Sequence, residues 1–288
     1  MKKKAVTFFV VMLFVFQLAA SGQEMFFEVP FVPTPEKVVA VMINMGDVGK
    51  DDVLYDLGCG DGRIVITAAA ELGTHGVGID IDPERIRECR ENAVKADVVD
   101  KVSFYEHDLF DADISDATVI TLYLLTNVNI RLRPKILREV KPGTRIVSHN
   151  YAMGEWEPDL SCKVNGEMNV HTVYYWVVPA DVSGTWEWAI TTESGTQKYV
   201  LTCAQEFQKF RGTVTLGDNT YSAVKTKLCG AEMQFTMKEE VDGHEASVLY
   251  EGTVNGNIIV GSRELGTEQV KHDWKAIRNS FTTTPIER

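Results

Sequence analysis

The chain has 288 residues, more than one typical domain needs, and its 44% hydrophobic and 24% charged content is ordinary for a soluble globular protein. A formal net charge of −12, with no cluster of Lys and Arg beyond the first four residues, argues against a nucleic-acid partner, because neutralising phosphates needs such clusters. An acidic surface suits a basic or Lys-rich partner and equally serves solubility. The five cysteines, Cys59, Cys89, Cys162, Cys203 and Cys229, are widely spaced and form neither a disulfide framework nor a paired zinc site. No metal is expected.

Lys2, Lys3 and Lys4 precede an apolar run over residues 5–16, and small residues follow, with Ala19, Ala20, Ser21 and Gly22 as ground for cleavage. Residues 1–22 thus have the three-part layout of a secretory signal. The apolar run is shorter than the ~20 residues a membrane span needs, and an uncleaved anchor is the alternative. Either way the positive flank predicts export, to the periplasm or outside the cell, or anchoring with membrane or envelope association.

Residues 26–179 form the first expected domain. Thr34 reads as a helix N-cap and Pro35 as the first residue of a helix reaching Met45. An apolar run over 53–57 leads into a glycine loop, and an alanine-rich helix follows over 64–72. Further strands are expected over 76–80, 102–106, 118–122 and 144–148. Helices are expected from Asp82-Pro83 to 95 and over 129–140. An antiparallel pair over 160–164 and 170–178 closes the sheet. Strands that read as continuous apolar runs and alternate with helices give an α/β, doubly wound sheet.

The stretch 179–184 is the natural joint to a second domain over 183–280. There, polar and apolar residues alternate along runs at 184–190, 197–206, 210–216, 220–228, 232–237, 246–254, 258–262 and 273–278. Gly217-Asp218-Asn219, Asp242-Gly243 and Asn255-Gly256 mark turns. This spacing predicts a small all-β antiparallel barrel or sandwich. Trp186, Trp188, Tyr199, Phe235, Tyr250 and Trp274 either line a ligand cavity or form its core.

The chemistry-bearing motif is Asp56-Leu57-Gly58-Cys59-Gly60-Asp61-Gly62-Arg63, between the first strand and the helix after it. Glycines there let the backbone approach a ligand and turn tightly into the helix. In a dinucleotide fingerprint a third glycine would stand where this chain has Arg63. A carboxylate as close as Asp56 serves an ammonium group rather than a pyrophosphate. Asp80, ending the second strand, is placed to accept from both ribose hydroxyls of a nucleoside. Asp108, after the third strand, is placed to accept from an exocyclic adenine amine. Singly, Asp80 also reads as a helix cap and Asp108 as a turn residue. Together the three aspartates fall at the carboxyl ends of successive strands, the edge where open α/β sheets bind ligands.

Asp56 to Arg63, Gly78 to Pro83 and His107-Asp108 resemble the consecutive motifs of class I S-adenosylmethionine-dependent methyltransferases. Pro30-Phe31-Val32-Pro33-Thr34-Pro35, Val119-Ile120-Thr121-Leu122-Tyr123-Leu124-Leu125 and Lys141-Pro142-Gly143-Thr144-Arg145-Ile146-Val147-Ser148 are similar to the small protein-lysine methyltransferases. That branch includes archaeal broad-specificity enzymes and the mitochondrial ATP synthase c-subunit and adenine-nucleotide translocase enzymes. The resemblance spans roughly residues 29–150 and implies a seven-stranded Rossmann-like sheet, S-adenosyl-L-methionine as cofactor and a protein substrate. It further implies that Asp56, Gly58 and Gly60 hold the methionine part, Asp80 the ribose and Asp108 the adenine, with Cys59, Ile81 and His107 also among the cofactor-binding residues. Pro33 and Thr34 would cover the cofactor. Thr121-Leu122-Tyr123-Leu124 stands where many enzymes methylating nucleic-acid or glutamine amines carry an Asn/Asp-Pro-Pro-aromatic motif, which counts against those substrates.

Methyl transfer from a sulfonium is an in-line displacement, so positioning and desolvation carry most of the catalysis. A lysine must first lose its proton, and an apolar channel favours that loss. Tyr123 either lines that channel or packs under the sheet edge, with Thr121 and Asn127 as polar contacts. His149 reads as a base or as a structural histidine. Two other classes remain open: an exported binding protein with an inactive methyltransferase fold, and an NAD-type oxidoreductase, which the glycine spacing disfavours.

Overall fold

The first sheet grows around the mostly buried central strands β1 (Val53–Leu57), β4 (Val119–Leu122) and β5 (Arg145–His149). β1 (Val53–Leu57) pairs in parallel with β2 (His75–Asp80) on one side and with β4 (Val119–Leu122) on the other. β3 (Val102–Glu106) lies beyond β2, and β5 (Arg145–His149) lies beyond β4, both parallel. β7 (Val170–Val177) runs antiparallel to β5, and β6 (Leu160–Asn165) antiparallel to β7. The order is β3-β2-β1-β4-β5-β7-β6, so the winding reverses between β1 and β4. Ligands of open α/β sheets bind at such a switch point, outside the carboxyl ends of the strands.

The structure, a computed structural model, describes residues 28–192, 195–241, 244–266 and 271–280. The expected signal segment over 1–22 and the turn at Asp242-Gly243 lie outside them. Among the described residues no helix is long and apolar enough to cross a membrane.

Helices α1 (Glu36–Met45), α2 (Arg63–Leu72) and α3 (Pro83–Lys95) bury their apolar stripes in one core with the sheet. Val38 and Met42, Val65 and Ala68, and Ile86 and Cys89 are their fully or nearly fully buried contributions. Asp82, not Asp80, caps α3, its carboxylate accepting from the Glu84 N–H at 2.8 Å. The expected cap of α1 is corrected by one residue. Pro35 is the N-cap, and its carbonyl accepts from Val38 and Val39 at 2.8 and 3.0 Å. Thr34 is buried instead: its carbonyl accepts from Arg63 Nη1 at 2.8 Å, and its hydroxyl faces His149 Nδ1 at 3.2 Å. Those long-range contacts outweigh a local cap. Helix α4 (Thr126–Glu139) starts three residues before the expected boundary, with the Leu125 carbonyl accepting from Val128 and Asn129.

All eight expected runs of the second region are strands: β8 (Gly184–Thr192), β9 (Gly195–Glu206), β10 (Lys209–Leu216), β11 (Asn219–Cys229), β12 (Glu232–Val241), β13 (His244–Asn255), β14 (Ile258–Leu265) and β15 (Lys271–Ser280). They form a closed barrel, not a sandwich, because β15 returns to pair with β8 through Ile277↔Glu187 and Arg278↔Trp186. Arg278 fixes this seam. Its guanidinium lies 4.4 Å from the Trp186 ring centroid and donates to the carbonyls of Ser183 (2.8 Å) and Asp181.

The six aromatic residues are core. Trp188 stacks on Tyr199 at 5.2 Å and Phe235 on Tyr250 at 4.9 Å, while Trp274 meets Trp188, Phe235 and Tyr250 edge-on. From Phe31 on, the described residues form one compact unit. The barrel is fastened to the sheet by the Trp156–Phe207 stack and by the Ala180 N–H donating to the Gly230 carbonyl at 2.8 Å.

Candidate active site

The glycine loop closes on the end of β2. The N–H groups of Gly58 and Cys59 both donate to the Ile79 carbonyl, at 2.8 and 3.0 Å. Gly60 has φ +55°, and a Cβ there would stand 2.4 Å from the Phe31 ring. Gly58 has φ +79°, and a Cβ there would stand 2.7 Å from Leu124. The loop therefore needs glycine both for its left-handed turns and for close approach. Phe31 is held over it by the Arg85 guanidinium, 4.7 Å from the ring centroid. Pro33 is exposed beside it.

Asp80 ends β2 and binds the neighbouring backbone with both oxygens. Oδ2 accepts from the Gly60 N–H at 2.8 Å and Oδ1 from the Asp82 N–H at 3.0 Å, while its carbonyl accepts from the His107 N–H at 2.9 Å. Each carboxylate oxygen keeps a further lone pair, the acceptor set a vicinal diol requires. Burial raises its pKa, against the two N–H bonds. Ile81 follows, half exposed, as an apolar shelf. Asp108 lies two residues beyond β3. Its exposed carboxylate shapes a turn by accepting from the Phe110 N–H at 2.9 Å, and His107 Nδ1 faces its carbonyl at 2.9 Å. These residues gather at the carboxyl ends of β2 and β3, with the glycine loop following β1.

Two expected contacts sit deeper than the sequence suggests. Asp56 is 2% exposed, below the open edge, and accepts from Thr121 Oγ1 at 2.7 Å. Burial pushes its pKa up to about 7, opposed by the Thr121 bond and reinforced by the charges of Asp80 and Asp61. The Cys59 side chain turns into the core, its Sγ 3.8 Å from Cys89 Sγ, and Cys89 donates to the Gly60 carbonyl at 3.1 Å. The hydrogen bond with Cys89 and then burial raise the Cys59 thiol well above its ordinary value.

On the β4–β5 side, Tyr123 is half-buried with its ring centroid 3.8 Å from that of His149 and 6.1 Å from that of Tyr151. Burial raises the pKa of its hydroxyl, against a hydrogen bond with Asn150. His149 is fully buried between Thr34 Oγ1 and His171 Nδ1, which lies 2.9 Å from its Nε2. Burial, then the charge of His171, lowers its pKa to about 4, so it is neutral at ordinary pH. Asn127 lies exposed in the first turn of α4, whereas Asn129, which sequence reasoning missed, is buried there. Its Nδ2 donates to the Tyr151 carbonyl at 3.0 Å and fixes the loop after β5. Tyr151 and His171 were also missed, and Phe31 and Leu124 were read only as members of longer motifs. The β5–β7 pairing, His149↔Val173, brings His171 in, and no local pattern signals it.

A family model described as the ANTKMT methyltransferase domain matches residues 56–160. A protein-lysine N-methyltransferase of Saccharolobus islandicus (strain REY15A) is 51% identical over 152 residues, which are 52% of this chain and 94% of that protein. The Homo sapiens lysine N-methyltransferase of the ATP synthase c-subunit is 30% identical over 145 residues, 50% of this chain and 60% of that protein. A crystal structure of an RNA methyltransferase from Salinibacter ruber in complex with S-adenosyl-L-homocysteine is 52% identical. It covers 52% of this chain and 96% of its own, with a TM-score of 0.49.

Proposed function

The chain belongs to the family of S-adenosylmethionine-dependent methyltransferases that carries the ANTKMT methyltransferase domain, and from that premise we propose that it methylates lysine side chains of proteins. The observation that carries the lysine assignment is the 51% identity along 94% of a protein-lysine N-methyltransferase. The net charge of −12 suits a basic substrate segment.

The residues present fit the cofactor. Asp80 offers two fixed acceptors to ribose hydroxyls, Ile81 an apolar face, and Asp108 an acceptor for the adenine amine. The Gly58–Gly60 loop borders the methionine part with its backbone, and Asp56 lies beneath it as the counter-charge for the ammonium. His107, Pro33 and Thr34 border the site, and Cys59 contributes backbone alone. Bound there, S-adenosylmethionine supplies an electrophilic sulfonium methyl. Tyr123, packed at a tilt against neutral His149, offers the acceptor amine an aromatic wall, which disfavours ammonium as water is excluded. Thr121 holds Asp56 in place, and Asn127 sits at the rim on the protein-substrate side.

Incubating the purified chain with methyl-tritiated S-adenosylmethionine and a proteome extract, followed by mass spectrometry, tests the reading. Label on lysine Nζ is expected. Label only on RNA or on other side chains would overturn it. The basic flank at Lys2–Lys4 and the apolar run over 5–16 support export as the setting. Cell fractionation checks this: recovery from the envelope or the exterior is expected.

A further inference from the structure

Across the β5–β7 pairing the fully buried His149 meets the partly exposed His171. Two imidazoles 2.9 Å apart need one donor and one acceptor between them, and with both rings in the neutral form this requires matched tautomers. His149 Nδ1 then needs the complementary role toward Thr34 Oγ1, at 3.2 Å. A hydroxyl both donates and accepts, so the row Thr34–His149–His171 is satisfied in either direction. One end lies in the segment bordering the proposed acceptor site. The other, His171, is partly exposed.

We propose that Thr34, His149 and His171 form a proton wire that carries the substrate ammonium's proton from the closed site to solvent; this rests on the lysine reading above. One N–H of the ammonium passes to Thr34 Oγ1 as the Thr34 hydroxyl proton passes to His149 Nδ1. His149 releases its Nε2 proton to His171 Nδ1, and His171 releases its Nε2 proton to water. One proton enters and one leaves, both rings stay neutral at the end, and the amine keeps the lone pair that attacks the methyl carbon. With product gone and water in the site, the same steps in reverse restore the tautomers.

The groups around the wire agree with a neutral relay. Tyr123 from the end of β4 covers His149 with its ring at 3.8 Å, and Tyr151 follows β5. On β6, Val164 stands opposite His171, and Lys37 of α1 is drawn to the Asn165 carbonyl at 3.1 Å. Neutral His149, its pKa held near 4 by burial first, passes a proton on rather than storing it.

His149 is fully buried and its replacement risks the fold, so His171→Gln and Thr34→Val are the variants to make. In the first arm, nitrogen-15 histidine NMR of the whole chain without cofactor reads the tautomers. Averaged signals from both tautomers are expected at His149, collapsing to one form in each variant. A single fixed tautomer, unchanged by Thr34→Val, overturns the wire. In the second arm, methylation of a lysine-rich peptide is followed against pH. His171→Gln should lower kcat about tenfold near pH 7 and approach the wild type near pH 11, where most of the lysine arrives unprotonated, with KM for the cofactor unchanged. An equal loss at every pH overturns the proposal. If the wild type labels no lysine, the lysine reading fails, and the NMR arm alone decides whether the wire exists.

Discussion

The backbone N–H of Gly60 donates to Asp80 Oδ2 at 2.8 Å, joining the glycine loop after β1 to the carboxylate that ends β2. The two motifs are thus one rigid lip rather than two neighbouring features. An acceptor already held by backbone donors costs little to order when a ligand diol arrives.

Gly60→Ala should damage that lip from two sides. The residue needs a positive φ, and its new methyl would meet the Phe31 ring at 2.4 Å. A loss of about 1–3 kcal/mol in stability is expected by chemical denaturation. Adding Phe31→Ala should recover the part that comes from the clash, leaving the backbone strain.

Asp56 links stability to pH. Its folded-state pKa of about 7 is raised from 3.8, so the native state holds a proton that the unfolded chain has already released. Its favourable share is complete below pH 3.8 and is lost as the pH rises through about 7, by on the order of 4 kcal/mol at most. Melting curves of Asp56→Asn should lack that decline and exceed the wild type at pH 8. The same variant should bind S-adenosylhomocysteine more weakly, since the counter-charge for its ammonium is gone.

His149 works in the opposite sense. Its folded pKa of about 4 is depressed from 6.5, so the unfolded chain takes up a proton the native state excludes. Its contribution is present above pH 6.5 and is lost as the pH falls toward about 4, by up to ~3 kcal/mol. Between these values the Asp56 and His149 slopes oppose each other. Asp56→Asn should therefore expose a steeper acid limb in thermal melts than the wild type shows.

Arg278→Met should open the barrel seam. It removes the donors to the Ser183 and Asp181 carbonyls and the charge over Trp186. A cost of about 2–4 kcal/mol is expected, read as loss of near-ultraviolet dichroism from the barrel tryptophans at lower denaturant.

The strands and helices were legible because the patterns that form them are local. The four residues of β4 are all buried and read as one apolar run, and β8 to β15 alternate as half-buried strands do. Asp80 ends β2 and Asp108 follows β3, as the strand pattern indicated, whereas Asp56 lies inside β1 and is buried. What the sequence hid is what distant segments decide. Closure of β15 on β8 makes a barrel from strands that would equally suit a sandwich. Thr34 looked like a cap because its local partners are visible in sequence, whereas Arg63 and His149 are not. Cys59 was grouped with the binding loop, yet its thiol packs against Cys89 of α3. Phe31 over Gly60 and Leu124 against Gly58 leave no periodic trace at all.

Titration calorimetry of S-adenosylhomocysteine into the wild type and into Asp80→Ala tests the central claim most directly. Loss of two charge-assisted acceptors should weaken binding by about 2–4 kcal/mol, roughly 30- to 1,000-fold in Kd, while NAD gives no heat with either protein. Equal affinity in the two proteins, or a response to NAD in place of S-adenosylhomocysteine, would contradict the account.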